Sequence, residues 1–454
     1  MNARRIAWSI VGLLSVSTAG RALDPIATLT PSDVPPGWTN GFGASVAIRG
    51  NYIVVGAPRD PWYNGDDPGA AYVFRRQGRA WIEAAKLTAT DSGWLDQLGW
   101  SVAIDGDVIV VGAPHYVVDR LSPSGPGAVY VFRRDDHGTP DDPTDDTWGQ
   151  EAKLTAPDPQ FEQLFGWSVA VSGDVIVAGK PGFGHSAEVF RYDGTEWSHE
   201  VSLIGSKSGV NGLFGQSVAI HGKRIVVGDP KVDDRRGAVY VFTRRGMSWI
   251  EDAELVAGDR APLDDFGFSV SASRDYIAVG APHDDDAGAS SGSTYLFVQQ
   301  RGAWIQQTKL APSGNAASSE FGQSVALDEN SLLVGSPGDH EAGSHTGASF
   351  LFRRVGTAWT HASKLTATDL SLSARLGSAV ALHGDWGLAA RWDKVYAYRV
   401  CEGCGTLREF ADFQNCFLHG AIANRHECAR FDDVGDGVVG LTDFVEFLGT
   451  WVGP

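Results

Sequence analysis

The segment Leu98-Gly-Trp-Ser-Val-Ala-Ile-Asp-Gly-Asp-Val-Ile-Val-Val-Gly-Ala-Pro114 decides the fold, because the 454-residue chain contains seven variants of it. Each variant opens on a glycine, and its closing position lies thirteen residues later. The opening glycines are Gly43, Gly99, Gly166, Gly215, Gly267, Gly322 and Gly377. The closing positions are Gly56, Gly112, Gly179, Gly228, Gly280, Gly335 and Ala390. Repeats of about 50 residues indicate a propeller or a solenoid.

Each copy is predicted to form four strands. Two apolar runs, such as Ser101–Ile104 and Val108–Val111, flank a two-residue turn in which glycine accepts a positive φ easily. Both runs are apolar at successive positions, which favours strands covered on both faces. A third strand follows, such as Val129–Phe132, and a fourth carries Trp with Leu six positions later, such as Trp81 and Leu87.

The seventh copy stops after its third strand, at 395–398. Residues 23–30 align with the fourth strand of the other copies, so we expect them to complete the last blade and close the ring. Closure removes the open sheet edges that promote aggregation. The sequence therefore predicts an all-β fold, a seven-bladed β-propeller over residues 23–400 closed by an N-terminal strand.

The pattern Phe/Leu-Gly-x-Ser-Val-Ala…Val-Gly-Ala-Pro resembles the FG-GAP repeat of integrin α-subunit propellers and their bacterial relatives. The resemblance covers residues 23–400 and implies a propeller whose loops present a binding face. Calcium-binding members of that family carry an Asp-x-Asp-x-Asp-Gly loop between the first two strands. Here that connection is a two-residue turn, too short for the six to eight oxygen ligands of calcium, so no cofactor is expected in the propeller.

Net charge argues against one class of partner, and the N-terminal segment indicates export. The formal charge of −18 argues against a nucleic-acid partner, which demands a basic face. Residues 1–22 have the pattern of a signal peptide: Arg4 and Arg5, then the apolar run 6–16, then a small-residue cleavage site ending at Ala22, with Ala19 as the alternative. That run is too short to span a bilayer, so a secreted or cell-surface location without a transmembrane segment is expected.

Binding is expected on the face that carries the loops between second and third strands, because these loops vary most in length on a regular scaffold. Their acidic residues suit a cationic group or a metal, although Asp is also an ordinary turn former. Trp100 and Trp167, like Trp62 and Trp94, fall outside the repeated Trp position, which is itself more typical of packing. The candidate ligand-face residues are Asp66, Asp67, Trp100, Trp167, Asp233, Asp234, Asp284, Asp285 and Asp286.

The sequence contains no recognisable catalytic constellation. His-Glu-x-x-His is absent and the twelve histidines are scattered. The first hypothesis is therefore a non-enzymatic binding or adhesion scaffold with a protein or glycan ligand on its loops. A secreted polysaccharide-binding lectin or polysaccharide-active enzyme is the second hypothesis, because propeller enzymes draw residues from several blades. A structural envelope protein is the third.

Residues 401–454 differ in composition and are predicted to form a separate small α-helical module. Phe410, Phe413 and Phe417 lie on one helical face, and Phe444, Phe447 and Trp451 repeat this spacing 34 residues later. The segment 432–443 resembles the EF-hand-like calcium loop of dockerin modules, which dock onto surface proteins. The resemblance implies possible calcium ligands at Asp432, Asp436, the Val438 carbonyl and Asp443. Val434 and Gly440 stand at two other ligand positions, so the loop is degenerate.

All four cysteines lie in this module. An exported context favours disulfides, and four cysteines allow three pairings. The pairing expected here joins Cys416 with Cys428 and leaves Cys401 with Cys404. A four-cysteine zinc site is the alternative, although its second pair lacks the close spacing of such sites.

Overall fold

The structure is a computed structural model that describes residues 21–35, 40–58, 68–78, 80–91, 96–115, 125–139, 144–209, 212–312 and 317–400. Seven sheets form seven blades, and within each blade consecutive strands of the chain pair antiparallel. The innermost strands of successive blades lie side by side, and those of the seventh and first blades do so too, which closes the ring. The predicted all-β seven-bladed propeller is confirmed.

The first three blades follow the predicted order. Their strands are β3 (Ser45–Arg49), β4 (Tyr52–Ala57), β5 (Ala70–Gln77) and β6 (Ala80–Leu87) in blade 1; β7 (Ser101–Asp105), β8 (Val108–Ala113), β9 (Ala128–Asp135) and β10 (Thr147–Leu154) in blade 2; and β11 (Val169–Ser172), β12 (Val175–Lys180), β13 (Ser186–Tyr192) and β14 (Trp197–Leu203) in blade 3.

Blades 4 to 6 repeat this arrangement. Their strands are β15 (Ser217–His221), β16 (Arg224–Asp229), β17 (Ala238–Arg245) and β18 (Ser248–Leu255) in blade 4; β19 (Ser269–Ala272), β20 (Tyr276–Ala281), β21 (Ser293–Gln300) and β22 (Ala303–Leu310) in blade 5; and β23 (Ser324–Asp328), β24 (Ser331–Ser336), β25 (Ala348–Val355) and β26 (Ala358–Leu365) in blade 6. The one helical turn in the described ranges, α1 (Val232–Arg235), contains left-handed residues and behaves as a loop.

Blade 7 combines both ends of the propeller. Its strands are β27 (Ala379–His383), β28 (Trp386–Arg391), β29 (Lys394–Arg399) and, as the outer strand, β2 (Ala27–Leu29). β2 pairs antiparallel with β29, with Leu29 opposite Val395. The outer strand is shorter than residues 23–30, because β1 (Arg21–Leu23) pairs instead, in parallel, with β26 of blade 6. The predicted signal-peptide boundary after Ala22 falls inside β1.

The second strand of each blade is the centre of its core. In β8 and its counterparts almost every residue is buried, because neighbouring blades cover both faces. The innermost strands differ from the prediction: in β3 and β11 several residues are only partly buried. Both faces of β3 pack on neighbouring blades, with Val46 and Ile48 in the core shared with blade 7 and Ala47 in the core shared with blade 2. Its inner edge, however, has no neighbouring strand of the same sheet. The sequence pattern did not separate these two environments, because both strands carry apolar residues in succession.

The repeated glycines allow adjacent blades to approach closely. A Cβ on Gly56 would lie 1.9 Å from the carbonyl oxygen of Gly99 and 2.3 Å from the Ser45 hydroxyl. That hydroxyl donates a 2.9 Å hydrogen bond to the Gly99 carbonyl of the next blade. The Ser–Gly hydrogen bond recurs between the other blades up to Ser324 and Gly377, 2.8 Å apart. The motif is therefore an inter-blade contact.

The tryptophans of the outer strands pack between blades. Trp81 meets Trp386 of blade 7 edge to face, with ring centroids 5.3 Å apart. Trp148 contacts Tyr52, and Trp359 contacts Tyr276, in the same way across other blade boundaries. Their partner is in each case the first residue of the second strand in the preceding blade. These rings therefore contribute to the core between blades.

Candidate functional site

We call the face that carries the loops between second and third strands the loop face. Because neighbouring strands are antiparallel, the connections from each outer strand into the next blade lie on the same face. The two kinds of connection hydrogen-bond to each other: the amide of Ser318 donates to Ala289 O at 2.7 Å, and that of Ser373 donates to Ser344 O at 2.9 Å. The loop face is thus built as a hydrogen-bonded surface.

Trp100 and Trp167, two of the predicted ligand-face residues, lie against each other on this face. Trp100 directly precedes β7, and Trp167 lies two residues before β11. Their ring centroids are 4.6 Å apart with planes tilted by 46°. Each amide closes a tight turn, Trp100 N–H to Gln97 O and Trp167 N–H to Leu164 O, both at 3.1 Å. Both tryptophans are partly buried.

Two phenylalanines on the same side of the ring are the aromatic side chains that sequence reasoning missed. Phe183 is 69% exposed and Phe161 is 49% exposed. Phe183 lies on the five-residue loop between β12 and β13, and its amide donates to Glu162 O at 3.0 Å. The sequence did contain a signal for them: neither phenylalanine stands at a position that recurs in the other repeats, so neither is explained by the packing of the repeat.

The predicted acidic residues of blade 5 are engaged within the protein. The carboxylates of Asp259, Asp284 and Asp286 lie within 4.8 Å of one another, a spacing that could hold a metal ion. The Lys309 ammonium lies 2.8, 2.8 and 2.5 Å from these three groups. A divalent cation would compete with this ammonium for the same oxygens, so the donor set as folded suits a lysine. Asp285 is exposed beside them.

Electrostatics around Lys309 reinforce this pairing. Burial acts to raise the pKa of Asp259, but hydrogen bonds from Lys309 and Tyr295 outweigh it and hold the pKa below its ordinary value. Burial and the charges of Asp284 and Asp285 raise the pKa of nearby Asp264 to about 6, although a backbone hydrogen bond opposes the shift. Asp264 therefore gains a proton at a higher pH than an ordinary aspartate.

The other acidic candidates show a similar pattern. Asp233 and Asp234 have left-handed φ values of 53° and 58°. Asp233 pairs with Arg260 at 2.9 Å, and both aspartates lie within 4 Å of Arg236. Arginines thus compensate their charge. Asp66 and Asp67, with Trp62 and Trp94, lie outside the described residues.

The polar cluster of blade 3 is the nearest approach to a catalytic set. Glu188 is fully buried, accepts from Ser186 at 2.6 Å and Ser202 at 2.5 Å, and faces His199 at 2.8 Å. A hydrolase triad needs the acid and the serine on different histidine nitrogens. Here Ser202 and Glu188 both face Nε2 of His199, so this histidine does not link them as a relay.

One stretch, Gly288-Ala289-Ser290-Ser291-Gly292, has the Gly-x-Ser-x-Gly spacing of a hydrolase nucleophile motif, and sequence reasoning overlooked it. That motif places its serine between a strand and a helix. Here the stretch lies on the loop between the antiparallel strands β20 and β21. In the described part of the chain no histidine hydrogen-bonds Ser290, so the motif's chemistry lacks its base.

These features define the class of the protein: it is a β-propeller built from repeats whose recurring glycines allow adjacent blades to approach closely. The FG-GAP repeat model matches residues 25–74, 81–132, 148–188, 197–242, 249–297 and 304–352, more than half of the chain. The chain belongs to the FG-GAP repeat family. The three strands that blade 7 takes from residues 379–399 lie outside these matches, in keeping with the replacement of the closing glycine by Ala390.

Comparison with solved structures shows the fold alone. A chain in the structure described as "Crystal Structure of Mitotic Checkpoint Complex" is similar over 88% of this chain and 100% of that one, with 13% identity and a TM-score of 0.51. The comparison with curated proteins gave no match. Within the described ranges, no helix has the length and apolar character needed to cross a membrane.

The predictions for the C-terminal module lie outside the described residues. They comprise the helices of 401–454, the calcium ligands Asp432, Asp436, Val438 and Asp443, and the cysteine pairs Cys416–Cys428 and Cys401–Cys404. They remain predictions.

Proposed function

We propose that this protein is an exported, non-enzymatic binding scaffold whose loop face takes a protein partner. The observation that carries the proposal is the exposure of Phe161 and Phe183 on hydrogen-bonded loops of that face. Exposed apolar side chains on a soluble protein mark interaction sites when they cluster. Aromatic anchors held in a fixed conformation lose little entropy on binding, so they suit a hot spot.

The test compares two matched pairs of exposed apolar residues. Purified full-length protein is titrated onto cells of the source organism, and its binding affinity is measured. The double variant Phe161→Ser/Phe183→Ser is compared with the control variant Met247→Ser/Val355→Ser. The control residues are 90% and 70% exposed: Met247 lies on the turn between β17 and β18, and Val355 is the last residue of β25, both at the opposite face. We expect at least a tenfold loss of affinity for the loop-face variant only. Equal binding by both variants would contradict the proposal.

Glycan binding is a second candidate, favoured by the Trp100–Trp167 pair. Paired indoles can offer an apolar platform to a sugar ring. A glycan array is probed with the native protein, with Trp100→Ala/Trp167→Ala and with Phe268→Ala, which changes an aromatic ring at the same repeat position. A signal lost only in the tryptophan variant supports a lectin; no signal on any glycan rejects it.

We propose that residues 401–454 attach the scaffold to a surface protein and bind calcium weakly. The support is their likeness to dockerin modules and the carboxylates Asp432, Asp436 and Asp443. Calorimetry of the full chain with calcium, compared with Asp436→Ala, tests the ion. Deletion of the last 54 residues tests attachment: release from cells supports the role, whereas retention supports a structural envelope protein held by the propeller.

A further inference from the structure

We infer that the mature protein begins at Gly20, so that the bond hydrolysed during export is Ala19–Gly20 and not Ala22–Leu23. The inference rests on the proposed export of the chain. Water adds across the bond, Ala19 leaves with a carboxylate, and Gly20 keeps the new amine. A membrane-bound signal peptidase of the host supplies the catalyst.

The observation behind it is the position of β1. Arg21, Ala22 and Leu23 stand opposite Ser363, Lys364 and Leu365 in a parallel pairing with β26. The carbonyl of Leu23 also accepts a 3.3 Å hydrogen bond from the amide of Thr366. β1 is a fifth strand on the outer edge of blade 6, whereas the other described blades have four strands. Unpaired strand edges promote aggregation, and β1 covers the outer edge of β26.

The segment also connects two blades. After β1 the chain crosses to blade 7, where the Ile26 amide donates to Ala397 O at 2.8 Å and β2 completes the sheet. Residues 21–29 therefore hold blades 6 and 7 together at the point where the ring closes. Leu23, partly buried, packs with the apolar cluster that contains Leu365 and Leu376.

Small residues permit cleavage at either bond. Ser17 and Ala19 precede the first bond, and Gly20 and Ala22 precede the second. Cleavage after Ala22 removes two of the three paired residues of β1 and places a charged ammonium on Leu23, beside an apolar cluster, where burial of charge is unfavourable. Cleavage after Ala19 leaves β1 whole. A signal peptide is discarded, so its boundary is expected outside the folded strands.

The decisive experiment expresses the full chain with export in a Gram-negative host and determines the N-terminus by sequencing and intact mass. Gly20 is expected for the native chain and for Ala22→Tyr, since Ala22 is exposed and tyrosine suits a strand. Ala19→Tyr, which puts a bulky residue next to the bond, is expected to block cleavage or move it to Leu23. A native chain that starts at Leu23 would overturn the inference and leave export intact. An unprocessed chain in the cytoplasm would overturn both.

Hydrogen exchange gives a second measurement that does not depend on the protease. Chains that start at Gly20 and at Leu23 are compared for amide exchange in β26, with β22, the uncovered outer strand of blade 5, as the internal control. We expect at least tenfold faster exchange in β26 of the shorter chain and no change in β22. Equal protection of β26 in both chains would show that β1 is dispensable and would overturn the inference.

Discussion

The hydroxyl of Tyr72 donates a 2.8 Å hydrogen bond to Asp33, which joins blade 1 to the chain that has just completed blade 7. The second carboxylate oxygen of Asp33 accepts from Lys86. Three further blades repeat the contact, so in these four places an aspartate four residues after an outer-strand leucine holds the next blade. These tyrosine–aspartate pairs are Tyr130–Asp91 at 2.9 Å, Tyr295–Asp259 at 3.0 Å and Tyr396–Asp369 at 2.6 Å.

These four contacts predict a loss of stability in acid. Burial acts to raise the pKa of each aspartate, but hydrogen bonds from its lysine and tyrosine outweigh it, so the folded pKa lies below the ordinary value of 3.8. The contribution to stability is therefore fully present above about pH 4 and is lost as the pH falls through the folded pKa. Urea unfolding from pH 6 to pH 2.5 measures this loss.

The control for this prediction is Asp91→Asn, which keeps the shape of the side chain and removes its charge. We expect a lower free energy of unfolding at pH 6 and a shallower dependence on pH below 4, because one titrating group is gone. An unchanged pH dependence would show that other carboxylates cause the acid sensitivity.

In the contact with blade 4 the acidic and basic residues of the ion pair have changed places. Lys207 stands at the aspartate position and pairs with Glu254, while the buried Tyr240 hydroxyl lacks a hydrogen-bond partner. We predict that Lys207→Asp/Glu254→Lys raises the free energy of unfolding by about 1 kcal/mol, because Tyr240 gains an acceptor. Each single variant should destabilise, since two like charges then face each other. Chemical denaturation of the four proteins gives the coupling energy.

The matched control makes the same exchange in blade 2. Asp91→Lys/Lys153→Asp preserves an ion pair but takes the acceptor away from Tyr130, so it should lower stability by about 1 kcal/mol. If both exchanges changed stability in the same direction, the tyrosine hydroxyl would not be the deciding group.

The sequence predicts the contacts within a blade far better than those between blades. The offset between Gly99 and Gly112 places the two inner strands and their turn, because both residues belong to one hairpin. The contact between Asp259 and Asp284 is different: Asp259 lies on the connection from blade 4, before blade 5 begins, so its approach to Asp284 depends on how the two blades stack. The parallel pairing of β1 with β26 likewise joins residues about 340 positions apart, and no repeat pattern indicates it.

The closing glycines give a steric prediction. Gly112 has an ordinary φ, yet a Cβ there would lie 2.0 Å from the carbonyl oxygen of Gly166 in the next blade. Gly112→Ala should therefore lower the free energy of unfolding by about 1–3 kcal/mol or more, as overpacking does. Gly149→Ala, where no atom lies within 4 Å, should change it by less than about 0.5 kcal/mol. Equal effects in urea unfolding would mean that inter-blade approach is not the reason for glycine.

The boundary between blades 7 and 1 also tests the steric explanation of the closing glycine, because it lacks both the glycine and its paired serine. Here the closing residue is Ala390 and the paired position, a serine in the other blades, is Ala379. In blades 1 to 6 a Cβ on the closing glycine would lie only 2.3–2.4 Å from the serine hydroxyl, so that hydroxyl and a Cβ exclude each other. Ala379→Ser should thus destabilise by about 1–3 kcal/mol through overpacking.

Adding Ala390→Gly should reverse that loss. The glycine removes the Cβ, and the new hydroxyl then donates to the Gly43 carbonyl, a bond worth about 1 kcal/mol. Ala390→Gly alone should cost about 0.5–1 kcal/mol, since glycine weakens a strand. The two substitutions are therefore expected to couple favourably by at least about 1 kcal/mol in a double-mutant cycle of urea unfolding. Additive effects would mean that the serine and the closing glycine are independent, and the steric explanation of the repeat would be wrong.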